Sequence, residues 1–401
     1  MARKSWRSHF CYGSCVDSCW KPKSRRAVFR RGIYRGTALL ALLYFAFRFT
    51  RNSKSEPSCK PVLEFDLESV HWTRKSRVNI SSQVTALRHF SKKYSHLYEE
   101  NITIFFNHLK MLKKQTWKPQ GQNRQEFRNC VHAALGKEGS IKNFLLTKNN
   151  IEKDEEMCFY LHGNIQTFPP ALMEFLPENQ IYKPGQFASC SVVGSSGILR
   201  DSRCGKAIDQ SQAVFRCNLA PTRGFEADVG SKTNFTTLNP SYLKKYLNRL
   251  RTQEDLVHFG AILKQFKDSY LWLPAFSADY DIPIIIQTAQ FAVHSMMAQP
   301  VLGHPQHYLS VRTLWRTSPR AKRFWPTTGL YLILSLVDVC DRINVFGFWP
   351  YSTAIDGSDV PYHYHNDINA LNQAHTYDAE FKMLVHLYEH GIINMHLGSC
   401  V

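Results

Sequence analysis

Beyond residue 186, short apolar runs alternate with longer amphipathic or fully apolar stretches, a pattern typical of strands followed by helices. We predict buried strands at residues 187–193, 213–218, 233–239, 270–276 and 343–349. Helical spacing occurs at residues 84–115 and 241–251, residues 327–340 are apolar on nearly every face, and residues 282–297 mix both characters. This alternation predicts an α/β domain with a mostly parallel sheet and a ligand at the carboxyl ends of its strands.

The first predicted strand runs directly into a glycine turn, Gly194-Ser-Ser-Gly197. Backbone N–H groups in such a turn can approach a phosphate, and a purely structural turn is the alternative that the spacing leaves open. The apolar helix begins at Thr327 or Thr328, either of which would cap it. Both turns fall at strand carboxyl ends and together would suit an anionic nucleotide. The turn lacks the full Gly-x-Gly-x-x-Gly pattern, which argues against a dinucleotide-dependent oxidoreductase.

Basic residues and one apolar segment distinguish the N-terminal region. The 401 residues carry a net charge of +18, and residues 1–58 hold 13 Lys or Arg against 2 Asp or Glu. Most of this charge precedes an apolar segment, as the positive-inside rule requires, which argues against nucleic-acid binding. We predict a cytosolic tail at 1–32, a signal anchor at 33–49, a stem at 50–80 and a luminal domain at 81–401. A cleaved signal peptide is the alternative to the anchor.

Cysteines and glycosylation sequons agree with a luminal domain. Of the 11 cysteines, 8 follow the predicted anchor, where disulfides persist, while Cys11, Cys15 and Cys19 precede it. Sequons at Asn79, Asn101 and Asn234 lie on the same side of the anchor as those 8 cysteines. Spacing alone does not determine how the cysteines pair.

Four motifs in the C-terminal half carry a resemblance to a known family. They are Cys190 through Asn239, with Cys204-Gly and Phe215-Arg-Cys-Asn218; Thr327-Thr-Gly through Gly347-Phe-Trp-Pro350; Tyr362-His-Tyr-His-Asn-Asp367; and His375-Thr-Tyr-Asp-Ala-Glu380. In order and content they resemble the motifs of the animal sialyltransferases, and within that family those of the α-2,8-sialyltransferases. In residues 1–80 the resemblance extends only to the general layout and not to any motif.

The resemblance implies a single glycosyltransferase-A-like, Rossmann-like α/β domain whose donor is CMP-sialic acid and which needs no metal or other cofactor. It also implies the disulfides Cys190–Cys340 and Cys204–Cys400. The expected reaction inverts configuration and forms an α-2,8 linkage on a sialylated glycoprotein or glycolipid, the latter as in ganglioside biosynthesis. The expected location is the Golgi membrane, as a single-pass type II protein with a luminal catalytic domain. The resemblance leaves room for a homo-oligomer.

The resemblance further implies roles for individual residues. His375 would be the general base, because an imidazole with a pKa of ~6.5 can take a proton from an attacking hydroxyl near neutrality. His363 would stabilise charge on the departing phosphate, as an imidazolium or as a neutral N–H donor. Glu380 would orient His375 or support its loop. The residues expected to contact the donor are Ser195, Asn218, Thr327, Thr328, Gly329, Trp349, Tyr362 and His363.

Two sequence features leave other chemistry open. Asp279 and Asp281 match the Asp-x-Asp spacing of metal-dependent glycosyltransferases. A basic run from Arg312 to Arg323, interleaved with aromatic residues, is either a solvated face or a track for an anionic acceptor.

Three positions depart from the family pattern. Ser195 stands where the family usually has asparagine, Thr327 replaces a serine, and His365-Asn366 replaces tyrosine and aspartate. Two further hypotheses therefore remain: a sialyltransferase that forms an α-2,3 or α-2,6 linkage, and a weakly active or non-catalytic luminal relative that binds glycans.

Overall fold

The computed structural model describes residues 102–136, 139–152, 154–161, 163–316, 325–366 and 375–400. The predicted tail, membrane anchor and stem lie outside these residues, as do the sequons at Asn79 and Asn101. Across the described ranges, no helix is both long enough and apolar enough to cross a membrane. The anchor and the domain boundaries stay predictions.

A seven-stranded sheet lies at the centre of the described chain, and every neighbouring pair of its strands is parallel. A separate antiparallel pair, β1 (Glu156–Cys158) and β2 (Ile165–Thr167), precedes it. The sheet consists of β3 (Cys190–Val193), β4 (Ala213–Arg216), β5 (Phe235–Thr237), β6 (Ser269–Leu273), β7 (Ala298–Leu302), β8 (Ile343–Phe346) and β9 (Asn394–Met395). The predicted α/β domain with a parallel sheet is confirmed.

Helices pack against both faces of this sheet. They are α1 (Ile102–Lys113), α2 (Gly121–Leu135), α3 (Gly205–Asp209), α4 (Glu226–Val229), α5 (Pro240–Tyr246), α6 (Gln253–Leu263), α7 (Ile282–His294), α8 (Pro305–Trp315), α9 (Thr328–Ser335) and α10 (Tyr377–Glu389). Residues of α1, α2, α9 and α10 share one apolar core with Cys190 and Val192 of β3. On the other face, Val193 packs with Ile208 of α3 and Val229 of α4. Successive strand residues therefore point into two different cores. Because both faces of the sheet are covered, every residue of β3 and β4 is buried.

The order of the strands reverses between β3 and β8. The sheet runs β7-β6-β5-β4-β3-β8-β9, so successive strands are added first on one side of β3 and then on the other. At such a point the loops that follow the two neighbouring strands diverge and leave a crevice at the carboxyl ends. Here the crevice begins at Gly194, directly after β3, and at Gly347, directly after β8.

Two predicted elements differ from the structure. The helix predicted over 327–340 ends at Ser335, and the chain then turns so that Cys340 reaches Cys190 at the start of β3. Residues 282–297, predicted as a mixture, form helix α7 to His294, and the edge strand β7 follows. Pro300 argues against a strand in the sequence, because proline has no N–H group to donate a hydrogen bond within a sheet. The structure tolerates Pro300 because β7 is an edge strand.

Both disulfides that the resemblance implied are present. Cys190–Cys340 joins the first residue of β3 to the segment after α9, and Cys204–Cys400 joins the start of α3 to the C-terminal segment. Their sequence separations are 150 and 196 residues. In the chain-entropy model, bonds that close loops of this length stabilise the fold by about 5 kcal/mol each.

Candidate active site

A cleft of about 220 Å³ opens where the order of the strands reverses. Its lining comes from the turn after β3, the loop after β8, the start of α9, residues 362–363 and one side of α10. The lining residues are Gly194, Ser195, Ser196, Cys217, Thr327, Gly329, Gly347, Phe348, Trp349, Pro350, Tyr362, His363, Tyr377, Glu380, Phe381 and Leu384. Segments far apart in sequence, including all four motifs, therefore converge on one cleft.

A larger cavity, of about 480 Å³, lies at the opposite end of the sheet. It is bounded by the first residues of β6 and β7 and by the end of α7, and its lining includes one carboxylate, Asp268, but no histidine or cysteine. Because ligands of parallel sheets bind at the carboxyl ends and the histidines gather there, we assign function to the smaller cleft.

The floor of the cleft is formed by two closely packed backbones. A Cβ atom on Gly194 would lie 2.3 Å from the carbonyl oxygen of Gly347, so any side chain there would push β3 and β8 apart. Gly347 has a φ of 71°, in the left-handed region that favours glycine. Both glycines are needed for the two strands to meet at the cleft.

Three N–H groups of the glycine turn hold it within the fold, and its role in binding an anion stays a prediction. The N–H groups of Gly194, Ser196 and Gly197 donate to the carbonyls of Phe346, Gly347 and Tyr362, at 2.8, 3.1 and 3.3 Å. The turn thus continues the parallel ladder and pairs with the 362–364 segment, leaving these three amides committed to carbonyls. Ser195 lines the cleft.

The first turn of α9 has amides without an intrahelical partner at the cleft. Thr327 is its N-cap, as predicted, and the Thr327 hydroxyl accepts a hydrogen bond from the Leu330 N–H at 3.1 Å. The amides of Thr328 and Gly329 come too early in the helix to have an intrahelical carbonyl partner. They lie at the positive end of the helix dipole, where an anion is stabilised.

Glu380 of α10 lies against this cap and not against His375. Its carboxylate oxygens accept hydrogen bonds from the Thr327 N–H at 2.8 Å and from the Thr327 hydroxyl at 2.5 Å. Burial raises the pKa of Glu380 to about 8, outweighing the opposite effect of these two hydrogen bonds. Glu380 therefore holds the start of α9, a contact that neither of the two roles expected from the sequence had included.

His363 lies on the wall of the cleft with its Nδ1 atom occupied. Nδ1 lies 3.0 Å from Asn366 Oδ1, and the amide group of Asn366 in turn donates to His365 Nδ1 at 3.0 Å. Because Oδ1 can only accept, His363 carries its hydrogen on Nδ1 and its Nε2 bears a lone pair in the neutral form. Desolvation lowers the pKa of His363, so the neutral form prevails at pH 7 in the absence of an anion.

His375 lies beside the cleft, next to the lining residue Tyr377. The two rings are 5.7 Å apart, and His375 Nδ1 donates to the carbonyl oxygen of Trp325 at 2.8 Å. This hydrogen bond places the hydrogen on Nδ1 and leaves Nε2 as a proton acceptor. Burial lowers the pKa of His375, opposed by the bond to Trp325, so the imidazole is neutral near pH 7. A neutral imidazole in this tautomer can accept a proton at Nε2, and the role of His375 as general base stays a prediction.

Asn218 and Thr328 lie behind the lining residues. The Asn218 side-chain oxygen accepts from the Asn239 N–H at 3.0 Å, and the Asn239 side chain donates to the Thr328 hydroxyl at 3.1 Å. These contacts tie the end of β4 to the start of α9. Of the eight residues expected to contact the donor substrate, six line the cleft. Asn218 and Thr328 lie behind these residues and stabilise the cleft through their hydrogen bonds.

Sequence reasoning missed the contribution of α10. Tyr377, Glu380, Phe381 and Leu384 all line the cleft, and their spacing of three to four residues is that of one helix face. This periodicity was the signal available in the sequence. Cys217 was also missed. It forms part of the wall, and burial raises the pKa of its thiol to about 12, which favours the protonated thiol at neutral pH.

The Asp-x-Asp pair makes contacts away from the cleft. Asp281 is buried and lies 2.5 Å from Lys244 Nζ, and Asp279 accepts a hydrogen bond from the Asn164 side chain at 2.8 Å. Asp281 is followed directly by α7. These contacts support a structural role at the start of that helix.

The one described sequon, at Asn234, lies between two strands. The Asn234 side-chain oxygen accepts from the Val214 N–H at 2.9 Å, and Thr236 of the same sequon is fully buried. Glycosylation at the three asparagines stays a prediction.

The sequence model of glycosyltransferase family 29 (sialyltransferase) matches residues 139–392, which contain six of the seven strands of the sheet, β3 to β8, and the cleft. This chain belongs to the sialyltransferases of family 29.

Individual members of the family are similar over most of the catalytic region. Mouse α-2,8-sialyltransferase 8F is 30% identical over 288 residues, covering 71% of this chain and 71% of the mouse protein. The α-N-acetylneuraminide α-2,8-sialyltransferase of Xenopus laevis is 33% identical over 218 residues, covering 53% of this chain and 58% of the frog protein. A crystal structure of a mammalian sialyltransferase matches 67% of this chain and 95% of its own, with 22% identity and a TM-score of 0.42.

Proposed function

We propose that this sialyltransferase moves sialic acid from CMP-sialic acid to a glycan that already ends in sialic acid, forming an α-2,8 linkage with inversion. The linkage is supported by the names of the similar mouse and frog proteins. The donor is supported by the family and by the first turn of α9, whose amides suit a phosphate at the cleft.

The observation that carries the proposal is the tautomer of His375. With Nδ1–H given to the Trp325 carbonyl, Nε2 is free to accept the proton of the acceptor hydroxyl. That oxygen then bonds to the anomeric carbon of sialic acid, and the bond from this carbon to the phosphate oxygen breaks. The electron pair of the broken bond leaves with CMP.

On the leaving-group side, His363 and the start of α9 stabilise the phosphate. The amides of Thr328 and Gly329 require no protonation to donate, whereas His363 Nε2 must first gain a proton because its Nδ1 hydrogen is held by Asn366. A bound phosphate favours this imidazolium electrostatically. Donor binding is therefore coupled to proton uptake by His363.

An anionic acceptor would be recognised near Trp325. The guanidinium of Arg312 lies 3.4 Å above the centre of the Trp325 ring, and the carbonyl of the same residue holds His375. A cation held this close to the base suits the carboxylate of a terminal sialic acid. The rest of the basic run, residues 317–324, lies outside the described residues.

A transfer assay with the full-length protein in detergent tests the proposal. CMP-sialic acid is offered with acceptors that end in sialic acid, galactose or N-acetylgalactosamine, and the product linkage is determined. We expect transfer to the sialylated acceptor, and loss of at least about 100-fold in kcat for His375→Ala. His294→Ala, at an exposed histidine on α7, is the matched control and should retain full activity.

Three outcomes would contradict parts of this proposal. Transfer only to galactose or N-acetylgalactosamine would replace the α-2,8 linkage by another linkage. Glycan binding without transfer to any acceptor would support the non-catalytic relative. Full activity of the His375→Ala variant would exclude His375 as the base. A large loss of kcat in the Asp279→Asn variant would favour metal-dependent chemistry.

The proposal includes an anchor at residues 33–49 and a luminal domain in the Golgi. Extraction of the full-length protein with alkaline carbonate should leave it in the membrane fraction, and protease added to intact vesicles should remove only the N-terminal tail. Release by carbonate would favour a cleaved signal peptide.

A further inference from the structure

The C-terminal end of α10 carries a histidine-rich cluster that the sialyltransferase proposal does not use. His386, Glu389 and the capping residue His390 offer ligand atoms that all lie within 4.8 Å of one another. The imidazole Nε2 of His108, on α1, is in direct hydrogen-bond contact with Glu389 Oε1. Four side chains with metal-binding chemistry thus meet where two helices that are distant in sequence come together.

We propose that His386, Glu389 and His390 bind a zinc-class divalent transition-metal ion, and that His108 of α1 supports this site through its hydrogen bond to Glu389, which links α1 to α10. Imidazole nitrogens and a carboxylate oxygen are ligands that zinc accepts, usually four in a tetrahedron. His386 and His390 are one helical turn apart and therefore project from the same face of the helix. Glu389 lies between them in sequence and is within 3.8 Å of His386 Nδ1.

The hydrogen bonding of His390 prepares it for this role. Its Nδ1 lies 2.9 Å from the backbone oxygen of His386, which can only accept, so Nδ1 carries the hydrogen and Nε2 presents its lone pair. Metal-binding histidines commonly have their second nitrogen held by a carbonyl in this way. The Asn123 side chain donates to the His390 carbonyl at 3.0 Å and holds the end of the helix in place.

The cluster is separate from the cleft but mechanically connected to it. Glu380 lines the cleft nine residues before Glu389 on the same helix, a separation of about 14 Å at 1.5 Å per residue. On the other helix, Phe106 packs against Trp349, a lining residue, with ring centroids 5.6 Å apart. A metal that joins α1 to α10 therefore stabilises the cleft wall without touching a substrate.

A simpler arrangement gives the same contacts without a metal. A protonated His108 would form an ion pair with Glu389, and such a half-exposed pair contributes little to stability. The two arrangements differ in whether the protein binds one equivalent of metal through these residues, and this difference can be measured directly.

The test uses the full-length protein in detergent, freed of metal and carrying Cys11→Ser, Cys15→Ser and Cys19→Ser so that the N-terminal thiols cannot compete. Co²⁺ serves as the spectroscopic probe and Zn²⁺ as its competitor. We expect one equivalent of Co²⁺ to bind with a visible absorption band, without the near-ultraviolet band of thiolate ligation, and to be displaced by Zn²⁺. Zinc at a hundredfold excess over Kd should raise Tm by about 5 °C.

Variants at half-buried positions keep the fold intact while removing ligands. Glu389→Gln and His390→Gln should each abolish the cobalt band and the zinc-dependent rise in Tm, while their metal-free unfolding transitions remain cooperative. His108→Gln should weaken zinc binding by at least about tenfold. His294→Gln, which changes a histidine on α7, is the control and should respond to zinc as the parent protein does.

The proposal would be overturned by two results. One is the absence of saturable binding at one equivalent in the parent protein. The other is an unchanged zinc response in Glu389→Gln and His390→Gln, which would assign the binding to other surface histidines. Unchanged zinc affinity in His108→Gln would overturn the supporting role of His108 and its link between α1 and the metal site.

Discussion

The two histidines of the candidate site are held in the same tautomer by different partners. His375 gives its Nδ1 hydrogen to a backbone carbonyl, whereas His363 gives its own to the side chain of Asn366. In both rings Nε2 is left with a lone pair, and desolvation lowers both pKa values. For His375 this is the form that accepts a proton, but His363 must be protonated to donate to a phosphate. The proposed reaction therefore needs the two residues in opposite protonation states.

The first residue-scale prediction concerns the acidic side of the pH profile of kcat/KM, which reports pKa values of the free enzyme. In the proposed reaction His375 is the base, so kcat/KM should fall as pH drops through its pKa, and that pKa lies below the ordinary 6.5. We expect the midpoint of the acidic limb below pH 6.5. His363→Gln is the control and should keep this limb at the same pH, although its kcat is lower. A midpoint above 6.5 would contradict the assignment of the base.

The second residue-scale prediction concerns Asn366, one of the departures from the family pattern. A carboxylate beside His363 Nδ1 favours the imidazolium, so Asn366→Asp should move the alkaline limb of kcat upward by about one pH unit. The same change should lower the donor KM at pH 7.5. Asn149→Asp alters charge at an exposed pair outside the cleft and should leave both quantities unchanged. An unmoved alkaline limb in Asn366→Asp would show that His363 does not act as a donor.

At the scale of elements, the side chain of Thr327 determines how the start of α9 is held at the cleft. Thr327 caps the helix and receives Glu380 from α10, so a single hydroxyl joins two helices that line the cleft. In the turn after β3, the amides of Gly194, Ser196 and Gly197 complete a ladder with neighbouring segments.

The element-scale prediction is that Thr327→Ala destabilises the protein by about 1–2 kcal/mol, since it removes an N-cap. It should also raise the donor KM, because the first turn of α9 would fray. Thr327→Ser keeps the hydroxyl and serves as the matched variant. Its loss of stability should be at most a few tenths of the loss in Thr327→Ala. Urea denaturation gives the free energies of unfolding. Equal stability of the alanine and serine variants would contradict the capping role.

At the scale of the whole molecule, the burial of Glu380 links stability to pH. Its pKa is raised from 4.5 in the unfolded chain to about 8 in the fold, so folding favours the protonated carboxyl. The contribution is fully present below pH 4.5 and is lost as pH rises through about 8. Its slope is at most about 1.4 kcal/mol per pH unit.

We therefore expect Glu380→Gln to flatten the dependence of unfolding free energy on pH between 5 and 8, relative to the unaltered protein. Other buried groups, including His304 and His365 with pKa values of about 4, contribute equally to both proteins. The measurement is the difference between the two urea-denaturation series, each taken at several pH values. Parallel curves would show that Glu380 stays ionised in the fold.

The sequence predicted the strand-rich half well because that information is local. Fully buried runs, the cap at Thr327 and the glycine next to a strand are properties of a few consecutive residues. Two elements with local patterns were nevertheless missed. The strand β7 was missed because it contains Pro300, which argues against a strand. The face of α10 that lines the cleft was missed because its first residues were interpreted as a motif and not as the start of a helix.

By itself the sequence determined the parallel α/β sheet, the position of the cleft at its carboxyl ends and, through resemblance, the family and both disulfides. The tertiary structure alone decided that Glu380 supports Thr327, that Trp325 sets the tautomer of His375, and that His108 meets Glu389. These pairs are 53, 50 and 281 residues apart. Local patterning encodes which elements form, but contacts between such distant side chains depend on how the elements pack.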